Sequence, residues 1–203
     1  ICTGNPLREQ VINAVPKTYA PPKGDINLLI VGGSLGAKIV SETMPAAIAL
    51  LPRAMRKHLK VVQQTRPEYQ EAAKATYKEA GVDAICETFF SDIETHLARA
   101  HYIVGRAGAS SVSEMAVMGL PALLVPLKIA MDDHQTVNAM ALSRLGAADI
   151  LPEFQFTPEH VKTTLEARLN DSTWLKRASA AAKGAGRPDA AAKLAELVIS
   201  AAQ

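Results

Sequence analysis

Gly105-Arg106-Ala107-Gly108-Ala109-Ser110-Ser111-Val112-Ser113-Glu114 is the stretch whose residue types and spacing can do chemistry. An apolar run, Tyr102-Ile103-Val104, ends in it, and a helical pattern over 110–119 starts in it. Glycine and other small residues sit at the junction. The local reading is a strand, a tight turn and a helix N-terminus. A helix start carries backbone N–H groups without partners and a partial positive charge. A phosphate fits there without any special side chain. Glu114 falls in the first turns, where a carboxylate accepts hydrogen bonds from a vicinal diol such as a ribose. The same residues also fit a purely local role, with Ser110 or Ser111 capping the helix and Glu114 completing a capping box.

Two further stretches carry polar or anion-binding character. The apolar run 26–31 leads into Gly32-Gly33-Ser34-Leu35-Gly36-Ala37, and a helical pattern follows to about residue 51. This is a second phosphate-binding geometry, although Gly32 and Gly36 equally suit close helix–strand packing. It is neither the dinucleotide fingerprint nor a P-loop. The second strand, 59–64, ends in Gln-Gln-Thr-Arg without a ribose acid, and no Gly-Lys-Ser/Thr follows the glycines. Farther on, Asp132-Asp133-His134-Gln135 opens a helix that runs through Asn138 to about Leu145. Adjacent acids at a helix start read as caps answering the dipole rather than as metal ligands. His134 and Asn138 share a helix face and Gln135 adjoins them, giving a polar edge or a plain solvent face.

The elements that must position these residues follow from the hydrophobic pattern. Asn5 reads as an N-cap with Pro6 as first helical residue, which puts Arg8 near a helix start, where it is equally a solvated surface arginine. Residues 16–24 form a proline-rich connector. A helix over 67–80 stops at Gly81, a strand runs over 82–90, and a short helix spans 93–100. Phe89 and Phe90 read first as core residues, although a backbone at a strand's carboxyl end can read a flat base. Gly119-Leu120-Pro121 ends the helix of the opening stretch, and strands follow over 122–125 and 147–151. Thr157-Pro158-Glu159 starts a helix to Leu169, and Asp171-Ser172-Thr173 caps another. Residues 184–189 are a break before an alanine-rich helix over 190–202, whose apolar positions suit packing against something else.

Strand and helix alternate about six times, which predicts an α/β fold with a Rossmann-like doubly wound parallel sheet. The Gly33-Ser34 turn, the Arg106-to-Glu114 turn and the His134, Gln135, Asn138 helix each follow a strand, so all fall on one rim of the sheet. Phosphate donors, a diol acceptor and a polar sugar-sized edge describe a nucleotide-sugar pocket.

Composition agrees with that class. The chain has 203 residues, enough for one large domain, and 48% hydrophobic residues with only 4% aromatics, so small side chains pack the core. A net charge of +2 argues against a dedicated nucleic-acid binder. Two cysteines, Cys2 and Cys86, make neither a disulfide framework nor a zinc site and suit a reducing compartment. No run reaches the apolar length of a membrane span, and no signal-peptide pattern is present. The chain opens on Ile1 rather than Met, and its first residues read as the interior of a longer protein.

Taken in order and spacing, Thr3-Gly4-Asn5-Pro6-Leu7-Arg8, Gly32 to Ala37, Arg106 to Glu114, Gly119-Leu120-Pro121-Ala122 and His134-Gln135-Thr136-Val137-Asn138-Ala139 resemble the donor half of the MurG family. These are the peptidoglycan enzymes UDP-N-acetylglucosamine: undecaprenyl-diphospho-muramoyl-pentapeptide N-acetylglucosaminyltransferase. The resemblance spans essentially the whole chain. It implies the C-terminal, donor-binding half of a GT-B fold. Residues 1–24 would be an interdomain lead-in and linker, 25–186 the Rossmann-like domain, and 187–203 a helix packing toward the N-terminal domain. It implies that Glu114 holds the ribose hydroxyls, that Ser34 and the backbone of Ala109, Ser110 and Ser111 cradle the diphosphate, and that the backbone at Phe90 reads uracil. Gln135, Asn138 and His134 would recognise the sugar, with His134 standing where some relatives have a second glutamine. Arg8, Gly33, Arg106, Gly108, Val112 and Ser113 complete the implied donor set. No catalytic residue, metal or cofactor is expected in this chain, with UDP-GlcNAc a substrate. The base, the acceptor site for lipid I and the membrane-docking surface belong to the family's other domain. The implied location is cytoplasmic, peripheral on the inner face of the bacterial plasma membrane, in cell-wall synthesis, cell shape and division. The alternatives are a UDP-GlcNAc 2-epimerase, a stand-alone donor subunit of a two-part transferase, or a non-catalytic nucleotide-binding regulator.

Overall fold

The computed structural model describes residues 2–33, 36–127 and 133–202. Six strands form one parallel sheet: β1 (Ile26–Val31), β2 (Leu59–Gln64), β3 (Asp83–Glu87), β4 (Tyr102–Gly105), β5 (Ala122–Leu124) and β6 (Ala148–Ile150), in the order β3-β2-β1-β4-β5-β6. A short α1 (Glu9–Asn13) precedes the sheet. α2 (Lys38–Ala49), α3 (Arg53–Arg56), α4 (Pro67–Glu79), α5 (Ile93–Arg99), α6 (Ala109–Met118) and α7 (His134–Ser143) connect the strands, and α8 (Pro158–Leu169), α9 (Ser172–Ala185) and α10 (Ala190–Ala201) follow. This is the doubly wound α/β arrangement that the alternation of patterns predicts.

Alternation along the strands supplies both faces. In β1, Leu28 and Ile30 point to a layer with Val40, Met44, Ile48, Val161, Leu165 and Leu175. Leu29 points to the other layer, with Met115, Met118, Leu124 and Leu142. Alanines 47, 73 and 178 on one side and 107, 116, 139 and 182 on the other are buried, so helices lie close to the sheet. Arg168 of α8 fixes the β6 edge. Its guanidinium makes a two-point bond to Asp149 at 2.7 and 2.8 Å and stacks 4.4 Å from the Trp174 ring centroid. Such a paired, stacked arginine tolerates partial burial.

Helix ends follow the expected signals in several places. The Thr157 side chain accepts from His160 N at 3.3 Å, Asp171 accepts from Trp174 N at 2.8 Å, and α6 stops at Gly119, which is left-handed. Elsewhere the tertiary structure overrides the local pattern. The first helix starts at Glu9 with Arg8 at the N-cap position, not at Pro6, because the Asn5 side chain turns away to Ser110. β3 is shorter than the apolar pattern over 82–90. Val82 N bonds Tyr77 O to end α4, and beyond Glu87 its partner β2 has stopped. Phe89 is 74% exposed rather than core. α9 continues through Gly184 to Ala185, where a break is expected from sequence, and α3 is an additional turn of helix. Among the described residues, no helix is long and apolar enough to cross a membrane.

The amino-terminal end of the sheet holds a proton-sensitive contact. Asn27 N donates to His101 Nδ1 at 2.9 Å, and His101 N donates back to Asn27 O at 2.8 Å. Tyr19 Oη donates to His101 O at 2.9 Å. Burial lowers the His101 pKa below 6.5. The unfolded chain therefore binds the proton more readily, and the stabilisation, complete above the ordinary histidine pKa, is lost as pH falls through it toward the lower folded value. Melting temperature measured between about pH 7.5 and about pH 5.5 is expected to fall toward acid, and His101→Asn, whose amide oxygen still accepts from Asn27 N, to flatten that slope.

Candidate functional site

β1 and β4 lie side by side with Val31 opposite Gly105, and the strand order reverses between them. The turn after β1 leads to α2 on one face, and the turn after β4 leads to α6 on the other. Two turns that diverge from neighbouring strand ends leave a crevice between them. The β1 turn is built by close approach. A Cβ on Gly32 would lie 2.2 Å from Ala37 N, and Gly36 N closes the turn on Gly33 O at 2.9 Å. The packing role for Gly32 is thus realised, and it brings the start of α2 to the crevice. Ser34 lies outside the described residues.

α6 begins at Ala109 with Gly108 as N-cap, and no side chain caps it. Ser110 and Ser111 are therefore inside the first turn, and the capping-box reading is overturned. Val112 N bonds Gly108 O at 2.9 Å, but among the described residues the N–H groups of Ala109, Ser110 and Ser111 have no protein acceptor. Three free N–H groups at the positive end of a ten-residue helix form an anion-binding terminus.

Two clefts meet at this terminus and share Gly33 and Ser111. The smaller, of about 380 Å³, has a floor of Val31, Ile103, Leu97 and Met115, with Phe90 at its mouth and Arg8 and Glu114 on one wall. Its lining combines these apolar side chains with the Glu114 carboxylate. The Phe90 ring meets His96 edge-on at 4.9 Å, and among the described residues neither backbone polar group of Phe90 has a backbone partner. The larger cleft, of about 920 Å³, lies between α2 and α6 and is lined by Gly32, Lys38, Arg66, Arg106, Gln135 and Glu153, among others.

Side-chain bonds preset several of these groups. Arg8 Nη2 lies 3.3 Å from Glu114 Oε1. Arg106 donates to Val125 O at 3.1 Å and to the Glu153 carboxylate. Arg66 Nε donates to Gly36 O at 3.3 Å, clamping the glycine turn. Gln135 Oε1 accepts from Leu127 N at 3.0 Å, leaving its amide NH2 for the cleft. Asn138 Nδ2 donates to Ala107 O at 3.1 Å and so supports the turn before α6 from below.

The structure therefore brings together Arg8, Gly33, Phe90, Arg106, Gly108, Ala109, Ser110, Ser111, Glu114 and Gln135 around one continuous trough. Asn138 stands behind it. Val112 turns its side chain into the core, and Ser113 Oγ donates to Ala109 O at 2.8 Å within the helix. His134 is exposed at the first position of α7 and lines neither cleft. Asp133 occupies the N-cap position of α7, and its carboxylate accepts from Thr136 Oγ1 at 2.6 Å rather than from backbone. Asp132 lies outside the described residues. Sequence reasoning missed Glu153, which reaches Arg106 across 47 positions from a single 3-10 turn, Glu153–Gln155. It carries no local signal. Arg66 had one: it follows the end of β2, on the same rim.

The model of the glycosyltransferase family 28 C-terminal domain matches residues 27–194. The chain belongs to that family. Relatives named UDP-N-acetylglucosamine--N-acetylmuramyl-(pentapeptide) pyrophosphoryl-undecaprenol N-acetylglucosamine transferase align along nearly all of it. The protein of that name from Maricaulis maris is 45% identical over 200 residues, 98% of this chain and 54% of the relative. The one from Rhodospirillum centenum is 46% identical over 202 residues, 98% of this chain and 53% of the relative. The chain thus spans about half the length of the curated relatives it matches. The crystal structure of Acinetobacter baumannii MurG superposes with a TM-score of 0.79 at 34% identity, covering 88% of this chain and 51% of that one. The MurG-type resemblance read from the motifs and the GT-B half-fold it implies are both shown. A UDP-N-acetylglucosamine 2-epimerase from Listeria monocytogenes, at TM-score 0.66 and 16% identity over 94% of this chain and 50% of that one, shares the fold alone.

Gly32→Ala is expected to destabilise the chain by about 1–3 kcal/mol, because the added methyl group meets backbone rather than a movable side chain. The shift of the urea midpoint measures it.

Proposed function

We propose that this chain is the UDP-GlcNAc-binding domain of an inverting N-acetylglucosaminyltransferase that converts lipid I to lipid II. The observation that carries the reading is the order of features along the trough: a slot with Val31, Leu97, Ile103 and Phe90 beside the Glu114 carboxylate, a helix N-terminus, then a cleft edged by charged and amide side chains. A uridine, a diphosphate and a sugar have that order and those chemistries. The names of the relatives, and their identity along nearly the whole chain, support it.

In this reading the uracil enters the slot beside Phe90, whose backbone polar groups are available to a base edge. Glu114 accepts from the ribose hydroxyls. The free N–H groups of Ala109, Ser110 and Ser111 face the diphosphate, with Gly33 across from them. Gln135 offers its amide to the sugar, while Asn138 positions the turn and His134 stands farther off. UDP-GlcNAc is a substrate, and we assign no cofactor or metal to the chain. The muramoyl 4-hydroxyl attacks the anomeric carbon, its proton passes to a base, and UDP leaves. Charge grows on the β-phosphate, and preorganised N–H dipoles at the α6 terminus stabilise it without having to reorganise.

The base, the lipid I site and the contact with the cytoplasmic membrane face we place in the part of the relatives outside the aligned half. In the same proposal residues 1–24 are the lead-in and linker, 25–186 the donor-binding domain and 187–203 a helix toward that remaining part. Val198 and Ile199 of α10, each 61% exposed, present an apolar face suited to that remaining part.

Glu114→Ala is expected to weaken UDP binding about ten- to a hundredfold, from loss of a charge-assisted pair of about 1.5–3 kcal/mol, with the melting temperature unchanged. Titration calorimetry measures it. In the full-length protein, transfer of GlcNAc to lipid I is expected. Epimerisation of free UDP-GlcNAc would overturn the transferase reading.

A further inference from the structure

The first residues of the chain run along α6 at the edge of the trough before the sheet begins. Gly4 is wedged where the chain turns from α9 into α10. A Cβ at Gly4 would lie 2.8 Å from Arg187 Cβ and 3.1 Å from Ala190 Cβ, and Gly4 has a φ of +90°, which L side chains rarely adopt. One residue later Asn5 Nδ2 donates to Ser110 Oγ at 3.4 Å. Three residues beyond that, Arg8 Nη2 donates to Glu114 Oε1 at 3.3 Å, and Val11 anchors the segment at full burial. The contacts at residues 5 and 8 land on α6 at residues 110 and 114, one helical turn apart on one face. On the same helix Gly186 packs against Val117, where a Cβ would lie 3.0 Å from Val117 Cα. α6 is therefore gripped at its start by residues 4–8 and near its end by the turn that also holds Gly4.

We propose that residues 4–8 are a positioning strap for the nucleotide site, with Gly4 as its fixed point and Asn5 and Arg8 as the residues that orient Ser110 and Glu114 toward the nucleoside diphosphate. The inference rests on the donor-site reading above. The chemistry is specific. A hydroxyl that accepts from Asn5 keeps its own proton free to donate to a phosphate oxygen. A carboxylate held through Oε1 by Arg8 keeps Oε2 and its remaining lone pairs for two ribose hydroxyls. Arg8 is 56% exposed and Glu114 19%, so the pair adds little to fold stability, and its value lies in fixing a rotamer before the ligand arrives. The atoms nearest to a Cβ at Gly4 belong to Arg187 and Ala190, and Gly4 acts through the path of the strap.

The test is a protein-observed NMR titration of the 203-residue chain with UDP and, separately, UDP-GlcNAc, in parent, Gly4→Ala, Asn5→Ala, Arg8→Gln and Glu114→Ala chains. Gly4→Ala, Asn5→Ala and Arg8→Gln are each expected to raise Kd about three- to tenfold for both ligands alike; the melting temperature of Asn5→Ala and Arg8→Gln stays within about two degrees of the parent, while Gly4→Ala, strained at its positive φ, melts a few degrees lower but remains folded at the titration temperature. Arg8→Lys is expected to recover part of the loss. Arg8→Gln combined with Glu114→Ala is expected to be no weaker than Glu114→Ala alone, because the two residues act as one unit. If Glu114→Ala weakens binding while Gly4→Ala and Asn5→Ala bind as the parent does, the strap has no positioning role. If Arg8→Gln binds more tightly, Arg8 competes with the ribose and the proposal is overturned. If the parent gives no saturable shifts with millimolar UDP, or Glu114→Ala leaves them unchanged, the donor-site reading fails and the strap with it.

Discussion

The pairing of β1 with β4 is the constraint on which the rest of this structure depends. Val31 and Gly105 sit opposite each other, and the chain leaves those two strand ends toward opposite faces of the sheet. A crevice at that point follows from connectivity alone. Everything chemical is then placed relative to it: the α2 and α6 termini on its two sides, the apolar slot under Phe90, and the polar cleft toward α7.

The site is built mostly from backbone and small residues, and this fits the composition. An N–H group can reach a phosphate only where no side chain intervenes, so glycine, alanine and serine dominate the α6 start. The charged side chains around it are mostly engaged with protein partners. Arg106 is held by Val125 and Glu153, Arg66 clamps the Gly36 turn, and Arg8 lies on Glu114. A preset arrangement of this kind loses little conformational freedom when a ligand arrives.

Family membership and fold agree with the motif reading, and the differences are instructive. The glycine turns, the acid after the second of them and the rim location were legible because each is a local signal: glycines after an apolar run, then a helix-period pattern. The roles of Asn5, Phe89 and Asn138 were not. Asn5 has an N-cap residue type but spends its amide on a serine 105 positions away. Phe89 has a core residue type but follows the end of β3, where no neighbouring strand covers it. Asn138 shares a helix face with His134, yet it points to the Ala107 carbonyl while His134 faces solvent.

The sequence by itself determined the element types, the two glycine turns, the helix start at the centre of the site and the family. All of these are encoded in short windows by periodicity, small residues and spacing. The tertiary structure alone decided that Glu114 is met by Arg8, that Arg106 is met by Glu153, and that two clefts join at Gly33 and Ser111. Those contacts join residues 106 and 47 positions apart. Nothing in a local window fixes such a distance, because it depends on the register of the sheet and on how each helix packs against it.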